Sequence, residues 1–291
     1  HPTPQILDGV SNPGQWLAAW RQAIADRIES LLPDSPYLGV IQALTLGHQQ
    51  RITPEQWRVF RVTGVVHLIV ISGSHISLVS GLVFFLARKL WASSGNLRHS
   101  PHTVAALVAG CFACVYAALA GFSIPTQRAL VMLSVVLLAL IRQRHVGALQ
   151  TLSLALLAVL GFDPLAVLSV GFWLSFTAVA VLLYAATGRL KRSTFWREAV
   201  QTQWVAAMGL SPLLIACFQQ LSLISPLANW MAVPWVGLLI VPSCLLASLL
   251  SCVSSTIATA LFHLIDWQLD VLYTGLNAMA AWPWAMISIP E

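Results

Sequence analysis

The sequence predicts an all-α fold, a polytopic transmembrane helical bundle with about seven or eight hydrophobic segments, some of them broken or half-spanning helices. Hydrophobic residues make up 58% of the 291 residues and charged residues only 9%, whereas soluble domains carry about 25% charged residues. The mean hydropathy is +0.79. Loops that contain Lys and Arg alternate with loops that contain neither, as in multi-pass membrane proteins. Together these observations exclude an ordinary soluble domain.

Residues 1–64 are the only part with the composition of a soluble protein. We expect them to form amphipathic and pre-membrane helices on the outer side of the membrane, before a transmembrane domain at 65–291. Apolar side chains recur at helical spacing over 15–32, and Pro33 ends that helix. Trp16 and Trp20 on this helix indicate that it rests at a membrane interface.

Two shorter helices are predicted before the first span. One covers 37–46 and stops at Gly47. The other begins at Thr53, where Thr-Pro-Glu-Gln has the pattern of a capping box with proline in the first helical position. This third helix can run straight into the first span.

The first span is predicted at 65–87, which contains no Asp, Glu, Lys or Arg and is long enough to cross a hydrocarbon core of about 30 Å. Apolar runs and helix breakers delimit the later segments, and a segment of about 14 residues has the length of a half-span. Pro234 and Pro242 interrupt the seventh segment. The later segments are 103–120, 125–141, 147–160, 164–186, 199–218, 226–251 and 256–282.

Charge alternation predicts the orientation of the bundle. The basic loops at 88–98, 142–145 and 189–197 should be cytoplasmic, because Lys and Arg are concentrated in cytoplasmic loops. Residues 1–64 and the C-terminal Glu291 would then both lie on the outer side. Three arginines just before the first span count against this orientation, namely Arg51, Arg58 and Arg61.

No cofactor and no metal site is predicted. The five cysteines all lie within apolar stretches, and we interpret the CxxC pair Cys111 and Cys114 as packing residues inside a span. The chain begins at His1 without Met and without the pattern of a signal peptide, so we expect it to be a piece of a longer protein.

The first group of candidate site residues lies in the first span, where His67, Ser72, Gly73, His75 and Ser77 carry polar or small groups at the depth of the bilayer. A helix that met only lipid would leave the polar groups without partners. On one continuous helix most of the small and polar residues share a side, which must face other helices or water; Ser72 and His75 fall off it. Two interpretations remain open: close helix packing through small residues, or the lining of a polar path with a break at Ser72 and Gly73. That side comprises His67, Gly73, Ser74, Ser77, Ser80 and Gly81.

Gln127 and Arg128 form the second group, about one turn into a predicted helix. An arginine there either reaches lipid headgroups or pairs with an acid, or it binds a phosphate through its planar, bidentate guanidinium. Asn229 and Pro234 form the third group, with Pro242 beyond them. Prolines inside an apolar run free backbone carbonyls, which indicates either a kinked packing helix or contact with a water-filled cavity.

His263, Asp266 and Asp270 form a secondary group, since their spacing places them on one face of the last helix. Carboxylates at that depth need partners. Pairing with Arg, or placement at the membrane surface, is favoured over metal binding, because a His and two Asp without further ligands are a weak metal signal.

The residues of these groups carry a family resemblance. The run from His67 to His75, after Gly64, resembles the Gly-x-x-His…Ser-Gly-x-His signature of the ComEC competence proteins. The resemblance covers about 37–242 in the right order, with small departures at Ser74 and Thr126. It continues at Pro125-Thr-Gln-Arg-Ala, Asp163-Pro164, Gly171-Phe-Trp-Leu-Ser-Phe176 and Pro226-Leu-Ala-Asn229 with Pro234.

The resemblance implies that 65–291 is the competence, or channel, domain of a multi-pass protein in the bacterial inner membrane, which translocates single-stranded DNA into the cytoplasm during natural transformation. The implied partners are single-stranded DNA, the phospholipid bilayer, a DNA-receptor protein on the outer side and a cytoplasmic motor or helicase. Family members commonly carry an oligonucleotide-binding domain before this region and a nuclease domain after it. The chain contains no His-x-His-x-Asp-His motif, so we expect no enzymatic activity from this piece. The implied channel or DNA-path residues are His67, Ser72, Gly73, His75, Ser77, Gln127, Arg128, Asn229 and Pro234.

Two other functions remain as alternatives. A secondary transporter for small anions or metals would use His67, His75, Asp266 and Asp270. An intramembrane hydrolase would use Ser72 or Ser74 as its nucleophile, but the sequence has no Gly-x-Ser-x-Gly elbow. Base stacking on exposed Trp side chains would favour a DNA path, although Trp is more often an interfacial anchor.

Overall fold

The computed structural model describes residues 13–95, 98–142, 147–187 and 195–288. The all-α fold is confirmed, and the described helices follow one another with short connections. The helices are α1 (Pro13–Leu31), α2 (Leu38–Leu46), α3 (Pro54–Val62), α4 (Val66–Ile69), α5 (Gly73–Ser93), α6 (Pro101–Leu119), α7 (Ile124–Ile141), α8 (Ala148–Phe162), α9 (Val170–Thr187), α10 (Phe195–Phe218), α11 (Ser225–Trp235), α12 (Val241–Leu250) and α13 (Ser255–Ala280).

The first three helices begin and end where the sequence predicts. α1 ends two residues before Pro33, and Gly47 ends α2 in the left-handed conformation, with φ 78°. The capping box of α3 is confirmed, because the side chains of Thr53 and Gln56 each accept a hydrogen bond from the other residue's backbone amide. Trp16 and Trp20 are exposed on α1 with their rings stacked 6.3 Å apart.

α3 does not run straight into the first span. The chain turns at Gly64, with φ 71°, and then forms the four-residue helix α4. Val70 and Ser72 have extended backbone, and α5 begins only at Gly73. A side chain at Gly64 has no room in this turn, because a Cβ there would lie 2.6 Å from the Ser225 hydroxyl.

Four described helices are long and apolar enough to cross a membrane: α5, α6, α7 and the continuous stretch Ser225–Leu250. Ala148–Phe162 and Val170–Ala185 are shorter apolar helices. From α5 to α10 each helix packs against the next in the chain, as expected for a bundle with short loops. The 26-residue helix α13 is not among the described candidate spans, and it packs on α12, α3 and α1.

Two predicted segments have different internal structures. The segment expected to begin at Pro164 opens with a 3₁₀ turn, Pro164–Leu168, and the helix starts again at Val170. The segment expected to be interrupted by Pro234 and Pro242 is continuous instead. A π turn, Val236–Ile240, lies between the two prolines, and the Val241 amide donates to the Val236 carbonyl. The longer hydrogen-bonded ring lets the helix accommodate prolines that lack an amide donor.

The N-terminal helices and the later helices share one hydrophobic core. It includes fully buried side chains from α1, α2, α5, the π turn and α13, namely Ile28, Leu44, Ile76, Ile240 and Phe262. The division of the chain at residue 64 therefore stays a prediction about the membrane boundary. Described residues 13–64 pack on the bundle and bury apolar surface with it.

A two-stranded antiparallel sheet was not predicted. β1 (Gln220–Ser222) pairs with β2 (Met286–Ser288), with Leu221 opposite Ile287. The pairing ties the chain after α13 to the connection between α10 and α11. Neither three-residue strand has a detectable sequence pattern, because the pairing is set by the ends of the helices.

The predicted orientation stays a prediction. Part of each basic loop falls outside the described residues: 96–97, 143–146 and 188–194, and so does Glu291. The structure contains no membrane.

Candidate functional site

The break before α5 is the local feature from which the site is built. Ser72 has an extended backbone and precedes the first residue of the helix, Gly73. Its hydroxyl lies 2.6 Å from that of Ser74. A Cβ on Gly73 would lie 3.2 Å from the Cβ of Ala129, so this end of α5 closely approaches the first turns of α7. The break anticipated at Ser72 and Gly73 is therefore present.

The interior side of α5 overlaps only in part with the small and polar side that the sequence predicts. His75, Ile76, Val79 and Ser80 are buried. Ser74 and Ser77 are exposed, and a Cβ at Gly81 would meet nothing within 4 Å. Within the predicted side, Gly73 and Ser80 therefore contact other helices, whereas Ser74, Ser77 and Gly81 are open, so the lining of a polar path by these residues stays a prediction.

Because the backbone between α4 and α5 is extended, His67 and α5 do not belong to one continuous helix, and the predicted phase between them does not hold. His67 itself is exposed. His75, which fell off the predicted side, is fully buried.

Three of the candidate residues are buried and have polar atoms with no hydrogen-bond partner. They are His75 at both ring nitrogens, Arg128 at Nε and Asn229 at Oδ1. Ser80, at Oγ, completes this group among the described residues. Buried polar groups are nearly always hydrogen-bonded, so each exception calls for a physical explanation.

Arg128 is a residue of α7, and its side chain extends to the start of α9. Only 8% of the residue is exposed, so it does not extend to lipid headgroups. Nη1 donates to the Ser169 hydroxyl at 3.4 Å, and a Cβ on Gly171 would lie 3.0 Å from Nη2. The ion pairs among the described residues join other side chains, Arg51 with Glu29 and Arg58 with Glu55. Arg128 is therefore a buried cation without an acidic partner in that part of the chain.

Gln127, the neighbour of Arg128, is exposed and has a structural contact. Its Nε2 donates to the Phe122 carbonyl at 2.6 Å. Phe122 is one of two described residues other than glycine with a positive φ, here 48°. Gln127 therefore holds the tight connection between α6 and α7.

Asn229 lies on α11 beside the turn that precedes His67. Its Nδ2 donates to the Ser225 hydroxyl at 2.8 Å, and the Ser225 side chain fills the space over Gly64. Ser222 extends the same contact by donating to the Val62 carbonyl at 2.6 Å. The structure thus brings Asn229 to the α3–α4 turn.

α5 reaches the same helix further along. A Cβ on Gly237 would lie 2.7 Å from Cδ1 of Leu78, so α5 packs tightly against the π turn. Pro234 is exposed and does not face this contact. Of the third group, Asn229 is therefore interior and Pro234 is not.

The secondary group on α13 has partners of an unexpected kind. Asp266 accepts a hydrogen bond from the Ser35 hydroxyl, and Asp270 accepts one from the Tyr37 hydroxyl at 2.8 Å. Neither carboxylate pairs with an arginine among the described residues, because the α1–α2 connection supplies two hydroxyl donors; the alternative expectation, placement at the membrane surface, stays a prediction. His263 is exposed, and no group of three metal-binding side chains occurs in the part of the chain that the structure describes. Burial and the hydrogen bond to Asp270 raise the pKa of Tyr37 above its usual range.

Ser169 is a polar residue of the site that the sequence reasoning missed. Ser169 accepts a hydrogen bond from the Phe172 amide at 3.2 Å, as a residue before a helix often does. A serine directly before an apolar helical run was the available signal. Ser80, which the sequence places on the small and polar side of the first span, is buried.

Comparisons with known proteins bear on the same residues. A family model described as "Competence protein" matches 44–291, which includes every candidate residue above. "Competence protein ComA" of Neisseria gonorrhoeae is 40% identical over 296 residues, which cover 98% of this chain and 42% of that protein. "Recombination protein 2" of Haemophilus influenzae is 37% identical over 226 residues, or 72% of this chain and 28% of that protein. No solved structure matches the chain.

The match extends to a more distant relative. "ComE operon protein 3" of Bacillus subtilis is 27% identical over 259 residues, which cover 89% of this chain and 32% of that protein. The chain thus spans less than half the length of each of these relatives. The resemblance inferred from the His67–His75 motif is confirmed, and the chain belongs to the competence protein family.

Proposed function

We propose that this chain forms an inner-membrane channel that translocates single-stranded DNA into the cytoplasm during natural transformation. Its family and the names of its relatives, "Competence protein ComA" and "Recombination protein 2", support a role in DNA uptake. The observation that carries the proposal is the set of buried polar side chains without partners, because three of them lie at motif residues: His75, Arg128 and Asn229.

An unpaired buried polar group costs about 1–3 kcal/mol. A bundle with three such groups at motif positions is better explained if water or a polar substrate meets them in the working protein. A single DNA strand has a backbone that accepts hydrogen bonds and carries negative charge. Conduction requires contacts that are few and weak enough to release the strand. A single buried arginine with the imidazole of His75 as a second donor meets that requirement, while Oδ1 of Asn229 can accept from water or from a base amino group.

The remaining parts of the proposal rest on the family and, for the orientation of the termini, on the alternation of basic loops. The chain would act without enzymatic chemistry of its own, in the bacterial inner membrane, with both termini on the outer side. A DNA-receptor protein would deliver the strand, and a cytoplasmic motor or helicase would draw it inwards. The transporter alternative is not proposed, because two of its four ligands, Asp266 and Asp270, are engaged by Ser35 and Tyr37.

The test replaces a polar group with an apolar one of similar size. In a deletion strain complemented by the full-length gene, His75→Leu should reduce DNA uptake at least about tenfold without lowering the amount of folded protein, because neither ring nitrogen of His75 has a hydrogen-bond partner among the described residues. Asn229→Leu should reduce uptake to a similar extent, but it also removes the hydrogen bond to Ser225, so its uptake is compared at equal amounts of folded protein. Leu227→Ala, at an exposed position of α11, the helix that carries Asn229, is the control and should leave uptake unchanged. Normal uptake by both leucine variants would contradict the proposed path.

A further inference from the structure

The contact between Arg128 and the start of α9 is electrostatically unusual. Gly171, against which Nη2 of Arg128 lies, is the second residue of that 18-residue helix. The N-terminus of a helix carries partial positive charge and amide groups without intrahelical partners. A guanidinium at this position therefore adds positive charge to positive charge, and the arrangement is complementary to an anion.

The guanidinium also has its bidentate edge unoccupied. Its one hydrogen bond goes from Nη1 to Ser169, and at 3.4 Å it is longer than usual. Nε has no partner, and Nη2 donates no hydrogen bond within the described structure. Nε and Nη2 together form the planar fork that matches two oxygens of a phosphate.

Two neighbours hold the fork in place. Ser169 is itself fixed, since its hydroxyl donates to the Ala166 carbonyl at 2.8 Å and accepts from the Phe172 amide. Gly171 leaves the space that Nη2 occupies, because a Cβ there would lie only 3.0 Å away. The arginine is therefore positioned by the 3₁₀ turn and the first turn of α9.

We infer that Arg128 and the amide groups that open α9 bind one phosphodiester group of the DNA strand. The N-terminal ends of α7 and α9 would then form a phosphate-binding site along the DNA path. The inference rests on the proposed function. Phospholipid headgroups carry the same phosphodiester chemistry. The strand is favoured as the source because the residue is nine-tenths buried between two helices, whereas an arginine that serves headgroups extends to an exposed helix end.

The experiment measures binding of labelled oligothymidylate to the full-length protein in nanodiscs of zwitterionic lipid, over a range of salt concentrations. Each phosphate contact with single-stranded DNA contributes a slope of about 0.7 to the dependence of log affinity on log salt. Arg128→Gln should lower that slope by about 0.7 and raise the Kd at least about tenfold. Arg128→Lys should keep the slope, because the charge remains, and still raise the Kd, because the fork is lost.

Two further variants separate binding from folding. Gly171→Ala should raise the Kd by displacing Nη2 while leaving the thermal unfolding of the protein unchanged, since the atom displaced is the end of a flexible side chain. Arg58→Gln removes an exposed arginine that is paired with Glu55, and as the matched control it should leave both slope and Kd as in the wild type. An oligonucleotide with a neutral methylphosphonate backbone should bind equally to the wild type and to Arg128→Gln.

The outcomes distinguish this inference from the proposed function. Equal slopes and affinities for the wild type and Arg128→Gln would overturn the phosphate site. Normal DNA uptake by cells with the Arg128→Gln variant would at the same time leave the proposed channel function uncontradicted. Retention of anionic lipid that depends on Arg128, with oligonucleotide binding unaffected, would assign the site to headgroups and overturn the inference. A failure of the proposed channel function would appear in a different measurement. In that case the strain that lacks the gene would still take up DNA normally.

Discussion

A methyl group at position 121 should destabilise the fold by displacing a single arginine. Gly121 lies just beyond α6 with φ 67°, and a Cβ there would lie 2.6 Å from Nη1 of Arg21. Arg21 donates from Nε to the Leu119 carbonyl and from Nη2 to the Leu46 carbonyl, both at 2.7 Å. These carbonyls end α6 and α2, where a cation is favourable.

The loss of unfolding free energy in Gly121→Ala is the sum of two separate costs. A left-handed backbone costs a residue other than glycine about 1–2 kcal/mol. A hydrogen bond from a charged donor contributes about 1.5–3 kcal/mol, and the arginine end can shift enough to keep part of it. Gly121→Ala should therefore lower the free energy of unfolding by about 2–4 kcal/mol. Arg21→Met, which keeps the apolar stem but removes both hydrogen bonds, should lower it by about 3 kcal/mol or more.

The assay is denaturant unfolding of the purified protein in detergent, followed by tryptophan fluorescence. Gly95→Ala is the matched control, because Gly95 has φ 68° and nothing within 4 Å of its Cβ position. It should show the backbone cost alone, about 1–2 kcal/mol. If the two alanine variants unfold at the same denaturant concentration, Arg21 does not hold the two helix ends and the reasoning is refuted.

Three further predictions concern α5, the α1–α2 connection and the orientation. Gly73→Leu should lower the amount of folded protein because Ala129 is 3.2 Å from the Cβ position, whereas Ser77→Leu, at an exposed position, should not; equal protein levels on a membrane immunoblot would contradict the assignment of faces. The raised pKa of Tyr37 means that the folded state holds this proton more tightly than the unfolded state, so stability should fall as the pH rises above about 10, the ordinary tyrosine value. Unfolding measured between about pH 9 and pH 11 should show a shallower fall for Tyr37→Phe, and an unchanged slope would count against the contact with Asp270. Single cysteines at Ser94 and Ser193 should react with an impermeant reagent only from the cytoplasmic side; labelling from outside would reverse the orientation.

Local signals in the sequence were sufficient to predict the helices. Gly47 and the capping box at Thr53 act within one or two turns, so their effect on the backbone does not depend on the rest of the fold. Apolar runs likewise located α6 and α7, because a span must be apolar along its whole length. They located α5 only in part, since the predicted span starts at 65 and the helix begins at Gly73.

The parts of the site that the sequence could not predict depend on tertiary packing. A few extended residues before Gly73 separate His67 from α5, and the packing of α5 on its neighbours decides that His75 and Ser80 are buried while Ser77 is exposed. The contact of Arg128 with Ser169 and Gly171 joins residues about 40 positions apart. The π turn between the prolines reflects a choice of hydrogen-bond register, and no residue type specifies that choice.

Photo-crosslinking of DNA during uptake tests the claim of a polar path most directly. A photoreactive amino acid is placed at position 75 or 229, or at the exposed positions of Leu82 and Leu239 as controls. Irradiation while labelled DNA is entering transformable cells should link the strand to positions 75 and 229 and not to the controls. Crosslinks at 82 or 239, with none at 75 and 229, would contradict the path through the buried polar residues.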